Sequence, residues 1–424
     1  MSYTRQTFVD HVVDENGNIT KQGTIIKAEH FKRIEDGILA NEAAIRNAGG
    51  SGGGSNSSLY EEAKRLISRY SHQYMNNINY EDNKVDIVIF AGQSNSCGRA
   101  TLASATTSKD LFLSVSKDVG FTFQNNASGA CDSAIKEIVE PLTINGSNGY
   151  GYIPSFINAY HSVTGRKICA CFKSEGGTSI NKWFPYELDA SGNETTSVPA
   201  YYTVIKTAVA SSKTYLQENG YELGEVLLVW CQGENDAAYL GSDSANSYCT
   251  EYGTTLKTDE QKIAYYKKGF SRIVEKLKED VGLTSAFNIR IGQSGTKVLR
   301  NEVIIEAQNQ LCRENPDCVM VSTIFAGAKD FIEEDGSKRN LMIDGSHYLP
   351  EGYLRAGLEA GVNAGIYQKS NKMIKPILLE YNTLYKEGTA KTPDTKEYER
   401  DVDKYIYDPC RIDLNFMRQF SKSE

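Results

Sequence analysis

Histidine is scarce in this sequence, with five residues in 424, and no apolar run reaches the roughly 18 residues of a membrane-spanning helix. We therefore expect no transmembrane segment. The first residues, MSYTRQTFVDHVVDENGN, lack the apolar core of a signal peptide, so we expect synthesis in the cytoplasm without one. Positive charge is not in excess either. The formal net charge of −8 argues against binding to nucleic acid or to an anionic membrane surface.

The nine cysteines lack the regular spacing of a disulfide framework. Three of them, Cys169, Cys171 and Cys231, lie in apolar runs typical of buried strands. An odd number without a framework indicates reduced thiols in a cytoplasmic product. The separation of Cys312 from Cys318 is not that of zinc ligands, and neither is that of Cys169 from Cys171. We therefore predict no metal site and no other cofactor.

Composition divides the chain into four segments. Residues 1–48 hold a polar stretch followed by a helical pattern with apolar residues at heptad spacing. That helix either packs on its own domain or forms a small anchoring and oligomerisation module. Residues 49–58, GGSGGGSNSS, form a flexible linker of natural or engineered origin. Residues 59–370 form the main domain, and residues 371–424 are a polar appendage or a subunit contact.

Within the main domain, short apolar runs alternate with helical patterns, after a first predicted helix at residues 59–76. The predicted strands are residues 85–91, 166–172, 225–231, 287–291 and 318–322. The predicted helices between and after them are residues 153–162, 201–219, 259–283, 302–314 and 351–367. This alternation predicts a three-layer α/β/α sandwich with a five-stranded parallel sheet.

A serine follows the first predicted strand directly, in the sequence GQSN at residues 92–95. Open α/β sheets place their sites at the carboxyl ends of strands, so Ser94 is a candidate nucleophile. The alternative is an ordinary turn with a Ser or Asn cap. Among the five histidines, His347 alone lies in a loop at that end of the sheet, and Asp344 precedes it by three residues. We predict Ser94, His347 and Asp344 as nucleophile, base and orienting carboxylate.

Two further loops after predicted strands supply oxyanion donors and candidate substrate contacts. The backbone N–H group of Ser94 and that of Gly176 or Gly177 are predicted donors, and Gly176 is the one we favour. A side-chain amide completes the set, and Asn235 and Gln232 remain alternatives for it. For Glu234 we favour a role in holding loops over direct acid–base work. The residues predicted to contact substrate are Gln93, Gly177, Glu234 and Trp183.

Four blocks of the sequence together resemble the SGNH (GDSL-like) hydrolase superfamily. They are GQSN at 92–95, GGTSINKW at 176–183, WCQGEND at 230–236 and DGSH at 344–347. Within the superfamily the blocks are most similar to the sialate O-acetylesterase and acetylxylan esterase group of carbohydrate esterases. The resemblance spans about residues 84–368. It implies a flavodoxin-like SGNH fold and a metal-independent Ser-His-Asp enzyme that removes O-acetyl groups from a carbohydrate.

Residues 24–38, TIIKAEHFKRIEDGI, resemble the N-terminal segment of phage and prophage tail or baseplate proteins. That resemblance implies attachment of residues 1–48 to a virion or phage-like particle, as a trimer or other homo-oligomer. The expected function is deacetylation of a bacterial surface glycan by a tail-associated esterase. Two alternatives remain. One is a tail protein that binds a glycan receptor without hydrolysing it, and the other is a free-standing bacterial esterase with an N-terminal dimer contact.

Overall fold

The structure is a computed structural model. It describes residues 12–13, 19–21, 84–101, 114–115, 117–125, 129–139, 142–144, 147–187, 189, 193–241, 256, 258–292, 301–328, 331–332, 338–372, 383–385 and 398–400. The chain divides into two units, Met1–Gly54 and Ser55–Glu424. In the first unit, strands Val12–Val13 and Ile19–Lys21 pair antiparallel. The predicted N-terminal helix, the linker, the helix at 59–76 and most of the appendage lie outside the described residues.

The second unit is built on a seven-stranded sheet. Its strands in chain order are β1 (Lys84–Gly92), β2 (Gly120–Gln124), β3 (Cys131–Lys136), β4 (Lys167–Ser174), β5 (Glu222–Cys231), β6 (Leu283–Ile289) and β7 (Cys318–Ser322). Across the sheet they run β7-β6-β5-β1-β4-β2-β3. All neighbours are parallel except the edge pair β2 and β3. The predicted α/β sandwich is confirmed, but the predicted strand number of five is wrong.

The two extra strands extend the sheet beyond β4. All five residues of β2 are buried, and the Thr122 hydroxyl donates to the carbonyl oxygen of Ala170 on β4 over 2.7 Å. The prediction missed them because they lie in a stretch rich in serine, asparagine and glycine. Short antiparallel pairs also lie outside this sheet in the described part of the second unit: Ser114–Val115 with Ile138–Val139, Leu142–Ile144 with Ser147–Gly149, Phe331–Ile332 with Lys338–Arg339, and Thr383–Tyr385 with Tyr398–Arg400.

Helices cover both faces of the sheet. The described helices are α1 (Ser94–Cys97), α2 (Ile153–Thr164), α3 (Ala200–Glu218), α4 (Glu234–Gly241), α5 (Asp259–Val281), α6 (Asn301–Glu314), α7 (Ile324–Gly327) and α8 (Pro350–Lys369). None of them is long and apolar enough to cross a membrane. Because side chains alternate along a strand, Val88 and Phe90 of β1 join the core under α2 and α8, whereas Ile87 and Ile89 join the core under α3, α5 and α6. The strand is therefore apolar on both faces.

Helices α2 and α8 approach each other closely on one face of the sheet. Three glycines spaced four residues apart on α8, Gly357, Gly361 and Gly365, face α2. A Cβ on Gly361 would overlap the carbonyl oxygen of Phe156 and lie 2.8 Å from the Ala159 Cβ. Residues four apart share one side of a helix, so these glycines let the two backbones pack together without intervening side chains.

Candidate active site

A glycine ends β1 and fixes the turn that carries Ser94. Gly92 has a φ of +144°, and a Cβ at this position would overlap the carbonyl oxygen of Cys231 on the neighbouring strand. The next residue, Gln93, donates its backbone N–H to that same oxygen over 3.0 Å. Only glycine suits both the conformation and the close approach. The chain then turns sharply into α1, and Ser94 lies at the carboxyl edge of the sheet.

The structure brings the three predicted triad residues together. Ser94 Oγ lies 3.0 Å from Nε2 of His347, and Nδ1 of His347 lies 2.8 Å from Oδ2 of Asp344. A carboxylate only accepts hydrogen bonds, so Nδ1 carries the proton and Nε2 is left to accept from the serine hydroxyl. Both distances are those of ordinary hydrogen bonds. The imidazole therefore has the tautomer that a general base for Ser94 requires.

Asp344 is held as a carboxylate by its own loop. Burial alone would raise the pKa of its carboxyl group, but three hydrogen bonds outweigh burial and lower the pKa below its ordinary value. One comes from the His347 ring, and the others come from the backbone N–H groups of Ser346 and His347, at 2.7 and 2.8 Å from Oδ1. The backbone of the short turn DGSH therefore both holds the Asp344 carboxylate in place and favours its ionised form.

Gly176 lies beside the nucleophile. A Cβ built on this residue would be 3.8 Å from the Ser94 Cβ and 2.6 Å from Nη2 of Arg99. Arg99 is exposed, and its guanidinium lies beside Gly176. Sequence reasoning missed Arg99, although it follows the GQSN block by only four residues. Gly177, the next residue of the predicted substrate loop, is exposed and has a φ of +69°.

The two alternative amides differ in what they already bind. Gln232 is fully buried, and its Nε2 donates to the carbonyl oxygen of Thr178 over 2.9 Å and to Asp236. No N–H of this amide remains for an oxyanion, which corrects the prediction for Gln232. Asn235 is half-buried, and its Nδ2 has one observed acceptor, Ser179 Oγ at 2.7 Å. A second N–H of Asn235 is therefore left for a ligand.

Three residues predicted to contact substrate have structural roles instead. The Oε1 of Gln93 accepts from the backbone N–H groups of Gly233 and Asn235, at 3.2 and 3.1 Å, and its side chain is buried. Trp183 is 1% exposed and packs edge-on against Trp230 in the core. It donates its Nε1–H to the Thr178 hydroxyl, not to solvent. Glu234 is 6% exposed and accepts from Asn95, so the loop-holding role that we favoured agrees with its placement.

A seryl hydroxyl bonded to an imidazole, itself bonded to a carboxylate, defines a serine hydrolase site on this doubly wound fold. The family model described as "Carbohydrate esterase, sialic acid-specific acetylesterase" matches residues 84–332, more than half of the chain. The chain belongs to this family. The match confirms the predicted family, that of the carbohydrate esterases. The match ends before Asp344 and His347; in the structure His347 contacts Ser94, and Asp344 contacts His347.

Solved structures similar to this chain include XAC1771, NanS and Axe2. XAC1771, a carbohydrate acetylesterase from Xanthomonas citri, is 14% identical over 69% of this chain and 57% of its own, with a TM-score of 0.37. NanS is 13% identical over 68% of this chain and 99% of its own, with a TM-score of 0.38. A catalytic mutant of Axe2, an acetylxylan esterase from Geobacillus stearothermophilus, is 10% identical over 69% and 96%, with a TM-score of 0.31. The chain thus spans a little over half the length of XAC1771. No curated protein sequence matches the chain.

Proposed function

We propose that the protein is a serine esterase that removes O-acetyl groups from a carbohydrate, with Ser94, His347 and Asp344 as its catalytic residues. The observation that carries the proposal is the unbroken chain of hydrogen bonds from Ser94 Oγ through the His347 ring to Asp344. The membership of the carbohydrate esterase family supports the same chemistry.

The mechanism begins with the serine hydroxyl. Ser94 Oγ attacks the acetyl carbonyl carbon while His347 Nε2 takes its proton, and Asp344 stabilises the imidazolium that forms. The tetrahedral intermediate collapses when the imidazolium returns that proton to the leaving sugar hydroxyl. Water, deprotonated by His347, then attacks the acetyl-serine. Acetate leaves, the serine oxygen regains its proton, and the enzyme is restored.

Three donors would bind the oxyanion of the tetrahedral intermediate. They are the backbone N–H groups of Ser94 and Gly176 and the amide of Asn235. Ser94 begins a helical turn, where N–H groups have no acceptor within the helix. Gly176 lies beside Ser94, and the backbone of Asn235 is bound to the Gln93 side chain. Each such donor is worth about 3 kcal/mol of transition-state stabilisation.

Hydrolysis of p-nitrophenyl acetate by wild type and by Ser94→Ala tests the proposed activity. We expect Ser94→Ala to lower kcat by at least about 10³-fold, because the nucleophile is lost. Ser96→Ala is a matched control, since Ser96 Oγ lies in the same turn but bonds to Tyr152 and Ser174 in the interior. Equal rates for wild type and Ser94→Ala would overturn the proposal and favour a protein that only binds glycans.

The substrate and setting belong to the same proposal. The similarity of residues 24–38 to phage tail and baseplate proteins supports an enzyme carried on a particle as a homo-oligomer, acting on acetylated bacterial surface glycans. Acetate release from purified O-acetylated bacterial polysaccharide would test the substrate. O-acetylated sialic acid and acetylxylan, the substrates that the family description and the name of one similar structure suggest, are the comparisons. Acetate from these two alone would contradict the surface-glycan assignment.

A further inference from the structure

Asn95, the residue after the nucleophile, has a fully buried side chain that the mechanism above does not use. Its Nδ2 donates to Oε1 of Glu234 over 2.6 Å and to the carbonyl oxygen of Ser346 over 3.0 Å. Its Oδ1 accepts from the Tyr353 hydroxyl over 2.7 Å. One amide therefore joins the nucleophile turn to the loop after β5, to the histidine loop and to α8.

The partners fix which way the Asn95 amide points. The carbonyl oxygen of Ser346 can only accept, and so can an ionised Glu234 carboxylate, so the two N–H bonds must face these atoms. The Tyr353 hydroxyl can then donate to Oδ1. A flipped amide would set its oxygen against two acceptors. The amide is therefore held in one orientation, in which its Nδ2 and its Oδ1 are both hydrogen-bonded.

Ser346 directly precedes His347, and its backbone N–H is bound to Asp344. The segment that presents the imidazole is thus held from within by Asp344 and from outside by Asn95. We propose that Asn95 is a positioning residue, which sets the approach of His347 to Ser94 by holding the Ser346 carbonyl, and that Glu234 holds the Asn95 amide in the bridging orientation. This inference rests on the proposed esterase function of the same site.

Glu234 accepts a hydrogen bond from Asn95 in this arrangement, and a positive charge on the nearby His347 ring would lower the pKa of its carboxyl group. Its Oε2 is buried and has no hydrogen-bond partner among the described residues. Burial raises the pKa of its carboxyl group. A buried carboxylate oxygen without a hydrogen bond costs stability, and the bond from Asn95 to Oε1 offsets part of that cost. We expect a neutral amide oxygen at this position to suffice for the hydrogen bond from Asn95.

Asn95→Asp keeps the shape of the side chain and removes the donor. The introduced carboxylate would face two acceptors, Glu234 and the Ser346 carbonyl oxygen. The two carboxyl groups can hydrogen-bond to each other only while they share one proton. We expect kcat for p-nitrophenyl acetate to fall about 100-fold at the pH values where that proton is lost, because a small displacement of a catalytic group has this effect. At lower pH, where the pair keeps its proton, part of the loss should be recovered.

Other titratable groups interact with Glu234 and could contribute to such a pH profile. They are Cys231, Tyr266, Tyr348, Tyr353 and His347. All of them are present in wild type, so the additional transition of Asn95→Asp is read as the difference between the two profiles. A wild-type profile and a wild-type kcat in Asn95→Asp would overturn the proposal.

Substitutions of Glu234 separate the acceptor from the charge. Glu234→Ala should lower kcat with a smaller change in KM, and Glu234→Gln should restore most of the loss, because its amide oxygen can still accept from Asn95. Tyr353→Phe, which removes only the bond to Oδ1, should have a smaller effect than Asn95→Asp. If Glu234→Gln lost as much activity as Glu234→Ala, the carboxylate charge would be the essential feature and the bridge would not.

A readout independent of turnover keeps the inference distinct from the proposed function. Nitrogen-15 NMR of the histidine side chains, with His347 assigned by His347→Gln, reports the tautomer and hydrogen bonds of the imidazole. We expect Asn95→Asp to change the His347 signals and to leave those of His161 unchanged. Wild type and Ser94→Ala could hydrolyse p-nitrophenyl acetate at equal rates while Asn95→Asp still changes the His347 signals. In that case the esterase proposal would fail and the positioning role would stand. Unchanged His347 signals would overturn the positioning role.

Discussion

At the scale of single residues, Asp344 is the most exposed member of the triad, with 53% of its side chain accessible against 26% for His347. Its carboxylate nevertheless stays oriented because two backbone N–H groups of its own turn and the imidazole all donate to it. An exposed ion pair alone contributes little to stability. The value of Asp344 therefore lies in holding one tautomer of His347.

Asp344→Asn tests that role. The asparagine oxygen can still accept from the two backbone N–H groups, but its amide would donate to His347 Nδ1 and force the proton onto Nε2. Nε2 could then no longer accept from Ser94. We expect kcat to fall by roughly 10²- to 10⁴-fold with little change in KM, measured with p-nitrophenyl acetate. A loss below tenfold would show that His347 keeps its tautomer without Asp344.

The lowered pKa of Asp344 also predicts how stability depends on pH. A carboxyl whose folded pKa is depressed stabilises the fold above its unfolded pKa of about 3.9, and this contribution is lost as the pH falls through the folded pKa. Thermal unfolding of wild type and Asp344→Asn should therefore show a difference in stability above about pH 3.9 that shrinks as the pH falls below this value. A difference that grows below pH 4 would contradict the direction of the shift.

The residue types of the triad could be read from the sequence, but the surroundings of the site could not. His347 is singled out by elimination, since few histidines are present and one lies after a strand. For Trp183 the sequence predicts a substrate contact, although an aromatic residue at this position could equally lie in the core. Its burial depends on Trp230, which lies on a different strand. Gln232 likewise depends on distant helices. Its backbone carbonyl oxygen accepts from Tyr266 and Gln308, and its side-chain Oε1 accepts from Tyr266.

At the scale of elements, the sequence pattern located five strands of the sheet and its long helices to within about four residues. The strand predicted at 318–322 coincides with β7, and the helix predicted at 302–314 lies within α6. Strands β2 and β3 escaped because their short apolar runs are interrupted by polar residues that bond to the neighbouring strand, such as Thr122. Pairing partners of this kind are set by tertiary structure, which a local pattern does not contain.

For the glycines of α8 we predict that substitution by alanine destabilises the protein, the opposite of its usual effect in a helix. Glycine to alanine in an exposed helix gains up to about 1 kcal/mol. For Gly361→Ala we expect a loss of about 1–3 kcal/mol, because the methyl group would overlap the Phe156 carbonyl and push α2 and α8 apart. Urea unfolding measures the change. Gly352→Ala in the same helix is the control, since its nearest contact would be 3.2 Å and the cost smaller. Equal effects would contradict the tight contact.

At the scale of the whole molecule, the division at Gly54 and Ser55 falls inside the Gly/Ser segment of the sequence. We propose that residues 1–48 assemble the chain into a homo-oligomer and that the second unit carries the chemistry. Light scattering of the full chain and of a chain without residues 1–58 should show an oligomer and a monomer. Both should hydrolyse p-nitrophenyl acetate at similar rates per site. An unchanged monomeric mass would contradict the assembly role.

The contact between α2 and α8 joins segments almost two hundred residues apart, Ile153–Thr164 and Pro350–Lys369. During synthesis, α2 leaves the ribosome long before its partner exists, and the face of the sheet under both helices stays uncovered until then. The contact between α2 and α8 therefore forms late in folding, because it joins distant segments. We expect this to slow the folding of the domain and to leave apolar surface exposed until α8 is made. The loop of Asp344 and His347 immediately precedes α8, so the active site and the domain would be completed together.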